Sequence, residues 1–165
     1  MEELRVFIET TIPINGEIRS AWFDLPIDED EFMERLGVDT ESTDFHITEK
    51  EVPFPDDVSE DTTIERLNDL SDMYEDLPVH IKEEITELLT WVYDLDELHQ
   101  QRYDIVHYPD CNSMIDVARH VLAENPAFAS LSEDCVRYFD FEASGDYLDE
   151  NGTFVETEHG IYEMP

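Results

Sequence analysis

The hydrophobic rhythm of the chain changes twice between its ends. From Leu4 to Thr10 (LRVFIET) β-formers dominate, and Ile18 to Leu25 (IRSAWFDL) resumes that character after Pro13, Asn15 and Gly16, which predicts a β-hairpin with a turn of several residues. Asp28 then caps a short acidic helix, Glu29 to Leu36. Phe32 and Leu36 share its buried side, Met33 is a further candidate, and Gly37 is its stop. Asp44 to Val52 (DFHITEKEV) alternates Phe45, Ile47 and Glu49 against His46, Thr48 and Lys50, as a third strand would. The PFPDD at 53 to 57 closes this first module.

From Thr62 the period becomes helical. Ile64, Leu67, Leu70 and Met73 form one stripe, Pro78 opens a second helix through Ile81, Ile85, Leu88, Leu89 and Val92, and a shorter helix starts at Asp94 with Leu95 and Leu98. After Tyr103 the pattern mixes. Ile105 to Tyr108 is a short strand, and Asn112 or Ser113 caps a helix with Met114, Val117, Val121 and Leu122 inward, which Pro126 ends. Ser132 caps another helical stretch through Val136, Tyr138 and Phe139. A turn at Asp149, Glu150, Asn151 and Gly152 precedes a strand from Thr153 to Thr157, and Gly160 separates that strand from Ile161 to Met164. The expected fold class is α+β. Three small modules at 1–61, 62–103 and 104–165 are expected to form an elongated chain.

Charge sharpens this outline. Forty-four Asp and Glu oppose nine Lys and Arg, a formal net charge of −35. Such an imbalance is the usual mark of disorder. Yet Leu, Ile, Val and Phe make up 45 residues, about 27%, above the roughly 20% below which disorder is the default reading. Gly and Ala are too few for a halophile surface, and no block of like charge forms an acidic tail. The excess is −15 in 1–61, −8 in 62–103 and −12 in 104–165, so every module shares it. The nine cations never cluster, which excludes a basic stripe for nucleic acid or an anionic membrane. One chain carries the charge of roughly 60 Å of B-DNA, about 18 base pairs, and an elongated chain would lower the self-repulsion. These features suggest a protein that stands in for nucleic acid.

Other chemistry finds little support. G-x-S-x-G, G-x-G-x-x-G, Walker A and H-E-x-x-H patterns are missing from the sequence. His107 and Cys111 resemble a base and a thiol, but nearby anions raise a thiol pKa and disfavour the nucleophile. Asp149, Asn151, Gly152 and Glu158 match part of a calcium-loop pattern in which Tyr147 would hold the first ligand position. That loop fails, and neither a metal nor a cofactor is expected. Cys111 and Cys135 lack metal spacing and are expected as free thiols. No apolar run reaches membrane-spanning length, and Met1, Glu2 and Glu3 begin no leader peptide, so a cytosolic location is expected.

Four segments together resemble the ArdA-type antirestriction proteins, acidic DNA mimics of conjugative plasmids and transposons: AWFDLPID at 21–28, ITEKEVPF at 47–54, DVARHVLAEN at 116–125 and DYLDENGTFVETEHGIYEM at 146–164. The resemblance implies a curved homodimer joined through the C-terminal module, acting in the cytoplasm of a bacterial host and not as an enzyme. It would occupy the DNA groove of a Type I restriction-modification enzyme, against the modification and specificity subunits, with carboxylates in the places of phosphates. The antirestriction motif would fall within Leu131 to Leu148. An acidic adaptor or chaperone for another basic DNA-binding protein is the alternative.

The candidate phosphate mimics follow the elements. The first module offers Glu29, Asp30, Glu34, Asp56 and Asp57. In the central module Asp69, Asp72, Glu75 and Asp76 form one row, Glu83, Glu84 and Glu87 a second, and Asp94, Asp96 and Glu97 a third. Helical spacings of three and four residues rise about 4.5 to 6 Å, comparable with the axial phosphate step of about 3.4 Å. The last module adds Asp110, Asp116, Asp140, Glu142, Asp146, Asp149 and Glu150. Phe128, Tyr138, Phe139 and Phe141 are candidates for the dimer interface, although packing within the module is the first expectation for most of them.

Overall fold

The computed structural model describes residues 4–165, so the expectation about Met1, Glu2 and Glu3 lies outside the described residues. Its contacts divide the chain into two compact units, one ending at Gln100 and one running Gln101–Pro165. Both mix helices with a small antiparallel sheet, which makes the fold α+β as the sequence predicts.

In the first unit β1 (Arg5–Thr10) lies between β2 (Ser20–Asp24) and β3 (Phe45–Glu51). Val6 stands opposite Phe23, and Ile8 stands opposite Ala21 on one side and Ile47 on the other. Alternation puts Val6 and Ile8 on one face of β1, where both are fully buried. Against them packs α1 (Glu29–Leu36), whose Phe32 ring lies 5.4 Å from Phe23 and 5.0 Å from Phe45. Asp28 accepts a hydrogen bond from the Glu31 N–H, and Gly37 closes the helix at φ 75°, a left-handed conformation that glycine adopts without strain. Met33 is exposed, contrary to its candidacy for the core. One residue past Phe32 is about 100° around the helix, away from the Phe32 and Leu36 stripe.

Thr63 caps α2 (Ile64–Glu75), which buries Ile64, Leu67 and Leu70, with Tyr74 rather than Met73 as the next buried apolar residue. Asn68 of α2 ties itself to the loop before α1, accepting from the Ile27 N–H at 2.7 Å and donating to the Ile27 carbonyl at 3.1 Å. The expected long helix after Pro78 is instead broken into α3 (Val79–Glu83), α4 (Ile85–Leu88) and a 3-10 turn at Leu89–Trp91. Glu84 leaves helical geometry at φ −123° and ψ 27°, while Ile81, Ile85 and Leu88 stay buried. Repulsion between Glu83 and Glu87 at i,i+4 opposes a continuous helix there, and burial of the three apolar side chains fixes the path without it. Asp94 accepts from the Glu97 N–H to begin α5 (Leu95–Gln101).

The second unit orders its strands β4 (Val106–Tyr108), β6 (Gly160–Met164), β5 (Thr153–Thr157), with β6 central and almost wholly buried. Gly160 sits at φ 117° where a Cβ would come within 2.4 Å of the Tyr108 carbonyl oxygen, so both backbone angle and space require glycine. Ser113 caps α6 (Met114–Ala123), followed by α7 (Pro126–Ala129), α8 (Glu133–Arg137) and α9 (Phe141–Asn151). A small core forms from Tyr108, Cys111, Val117 and Ile161, with Met114, Leu148 and Phe154 against it.

Four expectations for this unit are corrected. Asp149, Glu150 and Asn151 are the last residues of α9 and not a turn. Asp140 starts that helix by accepting from the Ala143 N–H, and Gly145 masks the helical pattern because it is there for space: a Cβ would lie 2.8 Å from the Met114 carbonyl oxygen of α6. Pro126 opens α7 and stands beyond the end of α6, as suits a first-turn proline with no N–H to lose. Val121 is exposed, since the short α6 buries only Val117 and Ala118, and the Ser132 helix stops at Arg137, before Tyr138 and Phe139. Among the described residues no helix is long and apolar enough to cross a membrane.

Candidate partner-binding surface

Charge follows a simple rule in this fold. Among the described residues the only buried polar or charged ones are Thr10 and Ser71, so every described carboxylate reaches solvent at least in part. Of the expected phosphate mimics, Glu29, Asp30, Glu34, Asp56, Asp69, Asp72, Glu75 and Asp76 are exposed in the first unit, as are Glu83 and Glu87. In the second unit Asp110, Asp140, Glu142, Asp146, Asp149 and Glu150 are exposed. Asp57, Glu84, Asp94, Asp96, Glu97 and Asp116 are half-buried.

Several of these acids also hold the fold. Asp116 accepts from the Asn112 N–H at 3.0 Å, Glu97 accepts from the Tyr93 N–H, and Asp94 and Asp140 cap helices. Asp76 meets the His99 Nε2 at 2.9 Å, and Glu75 lies 3.7 Å from the Lys82 ammonium. The densest knot joins Asp57, Asp94 and Asp96, whose nearest ligand atoms fall within 4.8 Å of one another. Arg66 is the cation of that knot, donating through both terminal nitrogens to Asp96. This contact holds the Asp96 carboxyl below the usual carboxylate range, whereas burial, with Asp94 and Asp96 adding to it, pushes Asp57 up.

Among the described residues, eight cations contact other groups of the same chain. Arg5 pairs with Glu51 and lies over Trp22, Arg35 donates to the Trp22 carbonyl, and Lys50 donates to the carbonyls of Pro55 and Val58. Arg66 pairs with Asp96, and Lys82 donates to the Glu75 carbonyl at 3.0 Å. Arg102 stacks on Tyr103, Arg119 lies over Phe141, and Arg137 is 3.5 Å from Asp134. Local duties therefore occupy the positive groups, while the excess of carboxylates faces water.

A cleft of about 890 Å³ opens in the first unit between α1, the loop before β3 and the start of α2. Glu29, Glu41, Glu60, Asp61, Glu65 and Asp69 line it, with Phe45 and Ile64 as its apolar residues. Four of those acids, Glu41, Glu60, Asp61 and Glu65, are absent from the sequence-derived set. The two ends of the cleft meet because the Ile47 N–H donates to the Glu60 carbonyl at 3.0 Å, a contact without local sequence signal.

In the second unit Phe128, Phe139 and Phe141 form one aromatic group with ring centroids 5.0 to 5.9 Å apart. Tyr138 stands out from it at 80% exposure. Cys111 is a buried core thiol pushed up chiefly by burial and then by Asp116 and Asp110, which fits the expected inert cysteine. His107 contacts the His159 carbonyl at 2.8 Å and stacks on Tyr162. Tyr108, donating to Glu163, is pushed up to about 12, first by burial and then by that carboxylate.

A comparison with curated proteins finds no match. The family model described as Antirestriction protein (ArdA) matches residues 14–163, nearly the whole chain. An acidic α+β chain whose cations are turned to internal contacts thus belongs to the ArdA antirestriction protein family.

Proposed function

We propose that this protein is a stoichiometric DNA mimic that inhibits Type I restriction-modification enzymes by occupying their DNA-binding groove. Family membership supplies the coarser part, an antirestriction role towards restriction enzymes. The observation that carries the finer reading is the pairing of internally occupied cations with solvent-facing acids. A net charge of −35 that is not neutralised inside the fold is available to a partner. The complementary surface is one lined with Lys and Arg, and a groove built for phosphates has that lining. Phosphates position a duplex without specifying its sequence, so one mimic would serve against enzymes with different recognition sites.

The working form is a homodimer joined through the second unit, which doubles roughly 60 Å of duplex-equivalent charge to about 120 Å. Competition on a Type I methyltransferase, one specificity subunit with two modification subunits, tests the reading. Preformed duplex is expected to compete with this protein, and affinity should fall clearly between low salt and about 0.2 M. Simultaneous binding of duplex and protein, or an affinity indifferent to salt, would refute mimicry.

A further inference from the structure

We propose that the cleft between α1, the loop before β3 and the start of α2 is a discrete socket for an arginine side chain of the target enzyme. This inference rests on the proposed function and replaces part of its diffuse charge pairing with a defined contact. The volume of about 890 Å³ falls in the range of small-ligand sites, roughly 300 to 1,000 Å³, and is ample for one long side chain with its flanking backbone. Six carboxylates line the cleft, and no Lys or Arg does. The N-terminus of α2 opposes a cation with about half a positive charge, far less than six carboxylates.

The shape of the cleft favours arginine. Half-buried Phe45 offers apolar surface for an aliphatic stem, and its aromatic ring also suits a guanidinium. A planar fork of five donors can engage several carboxylates at once, which an ammonium cannot do in the same plane. The walls are preorganised. Asn68 fastens α2 to Ile27, Thr63 caps α2 at Arg66 with a 3.1 Å bond, and the Ser42 hydroxyl accepts from the Asp44 N–H at 3.0 Å. Phe45 is seated edge-on against Phe32. A socket whose walls are already fixed loses little freedom when a side chain enters.

Filling the socket without changing its charge separates this idea from collective attraction. Thr43 is an exposed lining residue, so Thr43→Trp should narrow the cleft from its loop side while the net charge stays constant. Inhibition of duplex binding by the Type I methyltransferase is expected to weaken roughly tenfold, the scale of a lost interface anchor. The charge-matched pair Glu83→Gln/Glu87→Gln, outside the cleft, should lose less than the pair Glu60→Gln/Glu65→Gln within it. Melting curves establish folding for each variant. In parallel, wild-type protein titrated with a hexa-arginine peptide should show amide shifts concentrated at residues 40–45 and 60–69. Full inhibition by folded Thr43→Trp, equal losses for the two pairs, or shifts spread evenly over the acidic helices would each overturn the socket. A wild-type protein that does not compete with duplex would instead overturn the mimicry on which it rests.

Discussion

The two units solve the problem of a small core differently. The first buries Phe23, Phe32, Phe54, Leu67, Leu70, Ile81, Leu88, Leu95 and Leu98 almost completely, and leaves Val79, Trp91 and Tyr93 exposed outside that core. The second closes one small core at Tyr108, Cys111, Val117 and Ile161, and then runs from Arg119 to Ser144 without a single buried residue. Within that run the rings of Phe128, Phe139 and Phe141 shelter mainly one another. Contiguous apolar groups left in water mark association sites more often than not. The contrast lies in packing: one unit has an extensive core beneath its charge, while the other has a long stretch without buried residues whose half-buried rings are the proposed dimer contact.

The strongest way to break the comparison is to remove a ring from each unit. Phe32→Ala should lower the stability of the first unit by about 3 to 5 kcal/mol in urea unfolding, as for other large aromatic truncations in cores. Phe128→Ala should cost the fold clearly less, and equal losses would erase the distinction. Next in size, Tyr138→Ala should leave the monomer's melting unchanged and weaken the dimer by about 2 kcal/mol, the threshold of an interface hot spot. Sedimentation at several ionic strengths checks this. The wild-type dimer should tighten with moderate salt because two chains of −35 must approach each other, opposite in sign to target binding. A wild-type monomer at every ionic strength would remove the proposed dimer.

Gly145→Ala should destabilise the second unit by about 1 to 3 kcal/mol, because its methyl group meets the Met114 carbonyl of α6 and backbone must give way. A neutral result would show that α6 and α9 are less closely seated. Asp96→Asn tests the Arg66 contact in the first unit. A carboxyl held below its unfolded value of about 3.9 stabilises the fold above that pH and loses the contribution as pH falls through the folded value. The pair is more than a third exposed, so the loss near neutrality should be at most about 1 kcal/mol and should vanish once the pH is low enough to protonate the carboxyl in the folded state as well. Smallest of all, single amide changes at Glu83, Glu87, Asp72 or Asp149 should shift inhibition by less than about 1 kcal/mol. One of them abolishing inhibition in a folded protein would replace distributed attraction with a single decisive acid.

Most of the element plan was legible because it depends on neighbours in sequence. The Asp28 and Gly37 caps, the β-formers of β1 and the Ile64, Leu67, Leu70 stripe are local signals, and each is present in the structure. The break at Glu84 and the helix through Gly145 depend on tertiary packing, and their residues point elsewhere when read alone. The acids of the candidate surface could be named from composition, but their division between solvent and structural duty could not. Asp57 and Asp96 differ because burial weighs most on Asp57, whereas Arg66 reaches Asp96 from 30 residues away. The cleft was illegible for the same reason: residues from positions 29 to 69 converge through long-range pairing.

The placement of Lys50 and Lys82 has a practical side. They are the only two lysines, and each ammonium is already donated to backbone carbonyls. Amine-directed crosslinking, the common way to trap a transient complex, would find few side-chain handles here and those poorly reactive. Coupling through activated carboxyl groups to amines on the target enzyme would have handles throughout, and would record directly which acids lie against the captured partner.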